Sequence, residues 1–323
     1  MSRLITLALV LCAIPFYATA QILEVAELSA RDIERLDRDQ TVVIIRGGLF
    51  EQHGPYLPSF TDGYLNAWLA DRTAEAILAE RGGTVLMFPM IPLGSGVPED
   101  FGGLSPYSGS YTVRPETLRA VFMDLASALG EDGFRTIFVF HRHGAPSHNR
   151  ALLEAAEYFN DRFDGAMVVL TSLLYEGTAS QPKVLDADAQ TENGFGVHAD
   201  ANETSQTLFL VPHLVHEDYQ MAPPFSADTG DGLSAVAKRS GWPGYLGSPR
   251  LGDAKAGAQL VKYRAENAIE LALRIMDGFD WRSLPTRAEL DQAFLKKLDD
   301  NHRARSDAER RIQEAWISDT GKR

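Results

Sequence analysis

Three clusters of side chains in this chain have the types and spacing that bind metals and move protons. The first lies in "GGLFEQHGPYLPSFTDG", residues 47 to 63, where Glu51, His53 and Asp62 sit among glycines and prolines directly after the apolar run "TVVII". Glu51 and His53 are two residues apart, which in extended chain turns both side chains to one side. A carboxylate, an imidazole and a second carboxylate form a donor set suited to Zn, Mn or Fe. The plainer alternative makes Glu51 and His53 solvated loop residues and Asp62 the N-cap of the helix that follows.

The second cluster, "HRHGAPSHN", closes the apolar run "TIFVF" and holds His141, His143 and His148, three of the eight histidines of the chain. Open α/β sheets bind ligands beyond the carboxyl ends of their strands, so these histidines are expected to face the same crevice as Glu51. Satisfied core or surface histidines are the ordinary alternative. The third cluster, "GVHADANETSQTLFL", carries His198, Asp200, Glu203, Thr204 and Ser205. It also reads as a helix start, with Asn202 or a neighbour as N-cap and Glu203 as a first-turn acid. Both readings can hold together, because a helix N-terminus is a ready anion site.

The elements that must position these clusters follow from periodicity. Apolar β-branched runs at 41–48, 84–94, 135–140 and 166–174 alternate with helical patterns at 62–83, 114–133 and 147–163. Strand, helix, strand in that order is the mark of βαβ units and a largely parallel sheet. Residues 175–197 lack a period and are expected to form a long loop, as are the Gly- and Pro-rich residues 221–252. A long helix is expected over 253–279, then a charged helical segment in which Leu290, Phe294, Leu295 and Leu298 recur at helical spacing. That spacing fits an oligomer contact or a helix packed back on its own domain.

Composition narrows the function. The 323 residues are 45% hydrophobic and 23% charged, enough for a full core. A formal charge of -13 leaves no basic face for a phosphate backbone, so nucleic acid is not expected as a partner. The N-terminus, "MSRLITLALVLCAIPFYATAQ", has a basic residue, an apolar run and the small residues Ala18 and Ala20, the pattern of a secretory signal cleaved after Ala20. A periplasmic or secreted protein without stable membrane insertion is therefore expected, since the run is short for a span of about 20 residues. The one cysteine, Cys12, lies in that segment, so residues 21–323 carry no thiol for a nucleophile or a metal.

Taken in order, these motifs resemble the creatininase family. "FEQHGPYLPSFTDG" is similar to its Glu-x-His-Gly turn and "HLP…TD" segment, "FVFHRHGAPSHNRAL" to its strand ending in a glycine-flanked histidine, and "HADANETS" to its "HAG…ETS" element. "GVPEDFGGLSPYSGSYTVRPETL" and "YLGSPRLGDAKAGAQL" are similar to family segments at corresponding places, and the resemblance covers about residues 40–278. It implies a single three-layer α/β domain over 21–280, with a mainly parallel central sheet flanked by helices and a C-terminal extension over 281–323. It also implies a homo-oligomer and an amidohydrolase that cleaves a C–N bond of a small cyclic or linear amide. Carried over by position, Glu51, His53, Asp62 and His143 would bind two divalent ions, Zn or Mn with Fe as a further possibility, Asp62 bridging them. Glu203 is a fifth ligand candidate, and His198 would transfer the proton. Two such ions would activate a shared water to hydroxide and polarise the carbonyl.

The chain also departs from the family. Where creatininase has a glutamate ligand two residues after the strand-end histidine, this chain has Ala145, so either Glu203 or His148 fills the gap or the second metal binds weakly. The loop ahead of the "HAD" motif, residues 175–197, offers Tyr175 and Phe195 but no tryptophan, so creatinine is not implied as the substrate. A lactonase or esterase using the same ions, and a periplasmic binding protein that kept the fold without the chemistry, are the competing readings.

Overall fold

The computed structural model describes residues 20–103, 107–290 and 293–322. The expected signal peptide, with Cys12, lies outside them apart from Ala20. Five strands form one parallel sheet: β1 (Gln21–Glu24), β2 (Thr41–Arg46), β3 (Thr84–Met87), β4 (Thr136–Phe140) and β5 (Ala166–Val169), in the order β1-β3-β2-β4-β5. The main helices are α1 (Ala30–Glu34), α2 (Thr61–Arg81), α3 (Pro115–Glu131), α4 (Pro146–Phe163), α5 (Ala187–Asn193), α6 (Ala201–Leu210), α7 (Gly230–Ala237), α8 (Ala254–Met276) and α9 (Ala293–Thr320). The three-layer α/β architecture is the one expected.

Strand alternation decides which helix covers which face. Val42 and Ile44 of β2, with Phe138 and Phe140 of β4, point to one side, where Leu65 and Leu69 of α2 and Val261 and Leu271 of α8 complete a core. Val43 and Ile45, with Ile137 and Val139, point to the other, against Leu118 and Phe122 of α3 and Leu152 and Phe159 of α4. Both faces of β2 are fully buried because helices cover the sheet on both sides, which is why its sequence is a continuous apolar run.

Five short elements depart from the expected pattern, among them β5, expected over 166–174 but ending at Val169. β1 extends the sheet edge, and α5 forms inside the segment read as a loop, its first turn capped by Asp186 Oδ1 accepting from Ala189 N–H at 2.9 Å. α7 starts in the Gly-rich segment, where Thr229 Oγ1 accepts from Gly232 N–H. The strand expected over 84–94 stops at Met87.

The C-terminal extension packs back on its own chain. Phe294 and Leu298 of α9 are buried with Phe101, Leu233, Val236 and Trp242. One turn further, His302 is 3% exposed, its Nδ1–H donating to Asp100 Oδ2 at 3.0 Å while Ser95 Oγ–H donates to its Nε2 at 2.9 Å. Arg305 donates to the same Asp100 oxygen at 2.9 Å. These bonds fasten the extension to the segment after β3.

Candidate metal centre

Three chain segments converge beyond the carboxyl ends of β2 and β4. Glu51 and His53 follow β2, Asp62 enters with the first turn of α2, His143 follows β4, and His198 and Glu203 flank the start of α6. Asp62 does not cap α2: the cap position is Phe60, and the Asp62 carboxylate is instead 7% exposed and turned to the crevice. α6 is capped by Asp200, whose Oδ1 accepts from Asn202 and Glu203 N–H. Ala199 takes a left-handed φ of 46° between them, a strained conformation for a residue with a Cβ, and this turns its N–H onto Glu203 Oε2 at 2.6 Å.

The ligand atoms form three overlapping trios, each within 4.8 Å: Glu51, Asp62 and His143; His53, Asp62 and Glu203; Glu51, His53 and His198. Asp62 belongs to two of them. His143 Nδ1 lies 3.1 Å from Asp62 Oδ2 and 3.2 Å from Glu51 Oε2. His53 Nδ1 lies 2.9 Å from the Glu51 carbonyl, and its Nε2 is buried with no hydrogen-bond partner, 3.7 Å from Glu203 Oε2. A histidine whose far nitrogen donates to a backbone carbonyl is oriented as metal-ligating histidines are. The donor set of carboxylate oxygens and imidazole nitrogens fits a Zn, Mn or Fe ion.

The electrostatics fit as well. Burial would raise the Glu51 and Asp62 carboxyls, but His143 overcomes it in both, holding Glu51 below its usual range and Asp62 at about 2. Burial would lower His143, yet the Glu51 charge and the Asp62 hydrogen bond carry it up to about 10. A proton on His143 thus holds together charges that an ion could hold instead. Burial lifts Glu203 to about 7, against the pull of His53. His198 is different: burial lowers it to about 4, so it is neutral. Its Nε2–H donates to the Gln52 carbonyl at 2.6 Å, and Nδ1 is left facing Glu51 Oε1 at 3.8 Å.

Two of the three histidines after β4 do not belong to the crevice. His141 Nε2–H donates to the Leu93 carbonyl at 2.8 Å, and His148 bridges Ser95 N–H and the His141 carbonyl. Both are fully buried framework residues, so His148 does not complete the second trio and Glu203 does. Asn149 ties the same turn down by donating to the carbonyls of His143 and Ala145. Gly47 is required by packing, since a Cβ there would lie 2.1 Å from His141 Cδ2, whereas a Cβ on Gly144 would meet open space. Tyr175 turns away to Glu270, while Phe195 lines the crevice.

Residues not singled out in the sequence complete the site. A cavity of about 330 Å³ opens beside the trios, lined also by Arg142, Arg264 and Arg287, and by Val97 and Phe101. Ser95, His302 and Asp100 have the connectivity of a hydrolase triad, but Ser95 is 0% exposed and none of the three reaches this cavity. They fasten α9 instead. Phe294, Leu298, His302 and Ser306, four residues apart and all buried, show that the apolar stripe read in the extension continues into the polar tether.

Known proteins carry the same arrangement of elements. A mutant creatininase complexed with creatine superposes with a TM-score of 0.58 at 20% identity, over 80% of this chain and 99% of that one. A manganese creatininase gives 0.56 at 20% identity, over 80% and 99%, and a zinc–zinc form of a mutant creatininase 0.55 at 20%, over 79% and 98%. The 3-dehydro-scyllo-inosose hydrolase of Thermotoga maritima is 25% identical over 183 residues, 55% of this chain and 53% of that protein. The chain thus matches about half the length of that relative. Residues 26–272 match the family model described as creatinine amidohydrolase, a span that includes Glu51, His53, Asp62, His143, His198 and Glu203. With that match over most of its length, and the fold to go with it, the chain belongs to the creatininase family.

Proposed function

We propose that the protein is a metal-dependent amidohydrolase that cleaves a C–N bond, other than a peptide bond, in a small cyclic or linear amide. The observation that carries this is the pair of trios sharing Asp62, buried except for the half-buried Glu203, set against a cavity of small-molecule size. Glu51, Asp62 and His143 would hold one divalent ion, and His53, Asp62 and Glu203 a second, Zn or Mn being the ions named for the similar creatininases. Bound ions would supply Lewis acidity to a carbonyl oxygen and a water acidic enough to ionise near neutral pH.

The side chains do the rest. His198 is neutral and fixed by its Gln52 contact, so Nδ1 can accept a proton and pass it to the departing nitrogen. Its weak hold on that proton suits delivery to an amine leaving group. The apolar wall of Val97, Phe101, Phe195 and Phe294 excludes water around the scissile bond.

The test is reconstitution with Zn or Mn followed by a panel of small lactams and linear amides beside matched lactones and esters. Metal-dependent release of amine, abolished by a chelator, is expected. Turnover of esters and lactones alone would replace the amidase with a lactonase, and no turnover with no bound metal would favour a binding protein.

A further inference from the structure

Three arginines line the cavity from three different parts of the chain: Arg142 in the turn after β4, Arg264 on α8 and Arg287 in the C-terminal extension. Among the described residues none of them is in an ion pair, whereas Arg46, Arg150, Arg250 and Arg305 all are. The Arg142 backbone is gripped by Asn66, which accepts from its N–H at 2.8 Å and donates to its carbonyl, while its Nη1 is buried with no partner. Arg287 spends only Nε on the framework, donating to the Thr171 carbonyl at 3.2 Å. Burial and the neighbouring Arg142 charge lower Arg287 to about 10, so it stays cationic at neutral pH.

A guanidinium with donors left over beside a cavity, as on Arg142 and Arg287, is costly unless an anion takes those donors. The cavity's own carboxylates do not meet that need. Glu51, Asp62 and Glu203 are claimed by the trios and Asp200 by the α6 cap, and with divalent ions bound their charge is neutralised. The arginines then stand as positive charge with no ion-pair partner among the described residues, in a cavity also lined by Phe101, Phe195, Leu290, Phe294 and Leu298.

From this we infer that Arg142, Arg264 and Arg287 form an oxyanion-binding subsite, so that the substrate is a small amide carrying a carboxylate or phosphate group away from the scissile bond. The inference rests on the amidohydrolase reading for the word amide, and on the arginines alone for the anion. It makes the extension a specificity element, because Arg287 and one wall of the cavity come from it. Guanidinium forks suit planar carboxylates and phosphates alike, and lysine would not replace them.

The experiment uses the zinc-loaded protein and three matched probes: glutaramate, neutral glutaramide and 3-phosphonopropanamide. Affinity is measured by calorimetry at low ionic strength, and hydrolysis is followed in the same samples. Glutaramate or the phosphono amide should bind at least about tenfold tighter than glutaramide. Arg264→Gln and Arg287→Gln should each remove most of that preference, weakening glutaramate and the phosphono amide far more than glutaramide. Arg287→Lys, which retains the charge next to Thr171, guards against simple misfolding and should keep part of it. The tighter of the two anions identifies the group recognised. Equal affinity for all three probes, binding of none below about 10 mM, or a preference that survives both glutamine variants overturns the proposal. Hydrolysis without anion preference would sink the subsite and spare the amidase; anion preference without hydrolysis would do the reverse.

Discussion

Asp62 is where the proposed centre is most exposed to refutation, because it alone is shared by both trios built from Glu51, His143, His53 and Glu203. Asp62→Asn keeps the shape of the side chain and a hydrogen-bonding contact to His143, but removes one anionic donor from each ion at once. Loss of an outer-shell partner costs a metal site about 10–100-fold in affinity, so loss of a direct ligand should cost at least the upper end of that range. At a metal concentration of about 100 times the dissociation constant, binding stabilises the native state by about 2.7 kcal/mol; a hundredfold weaker site leaves about 0.4 kcal/mol. Elemental analysis after gel filtration should therefore give close to two ions in the unaltered protein, close to none in Asp62→Asn, and close to one each in His143→Asn and Glu203→Gln. Unfolding with and without added Zn or Mn should show metal stabilisation falling in the same order. Two ions retained by Asp62→Asn, or one ion lost equally by all three variants, would refute the shared ligand.

His198→Asn should keep the metal content and lower kcat by about 10²–10⁴-fold, the range for a lost acid–base group; a fall in metal content would make His198 a ligand, as its trio with Glu51 and His53 allows. The metal-free protein should lose stability as pH rises. His143, raised to about 10, contributes fully below the ordinary histidine pKa of about 6.5 and ceases to contribute as pH passes through about 10. Asp62, lowered to about 2, contributes above about 3.8 and is lost only in strong acid. Thermal unfolding of chelator-treated protein between pH 6 and 10 checks this, and a flat profile would contradict it. Gly47→Ala should destabilise by about 1–3 kcal/mol through the His141 clash, while Gly144→Ala should be nearly neutral, both measured by denaturant unfolding. His302→Ala leaves Asp100 and Ser95 without their buried partner and should cost about 2–4 kcal/mol, with faster protease cleavage within α9; an unchanged digestion pattern would remove the tether.

What could be read from the chain tracks how local the signal is. β2 and β4 are apolar runs buried on both faces, so their place and the crevice beyond them follow from the residues themselves. β1 is four residues followed by a single short α-helix, α1, too brief to show a period, and α5 is the polar stretch "ADAQTEN", held by a cap rather than by an apolar stripe. Glu51, His53 and Asp62 fall within twelve residues and are legible together. The choice between Glu203 and His148 was not, because it depends on which way two buried side chains turn: His148 toward Ser95 and His141, Glu203 toward His53. His302 meets Ser95 and Asp100 across about two hundred residues, a pairing no spacing rule reaches.

The same distinction bears on the substrate. The family match ends at residue 272, and the creatininase complexed with creatine is covered almost completely by only 80% of this chain. The ligand trios lie inside that shared part. Arg287, Leu290, Phe294, Leu295 and Leu298 lie beyond the family match, yet they line the cavity next to His198 and Glu203. On the reading proposed above, the chemistry would come from strand ends inside the family match, and recognition in part from beyond it, where the extension tethered through His302 brings Arg287 to the cavity. Membership in the family therefore bears on the bond that is broken, while the group that selects the molecule carrying it is to be sought at Arg142 and Arg264 and at Arg287, the one arginine of the three that the extension brings to the cavity.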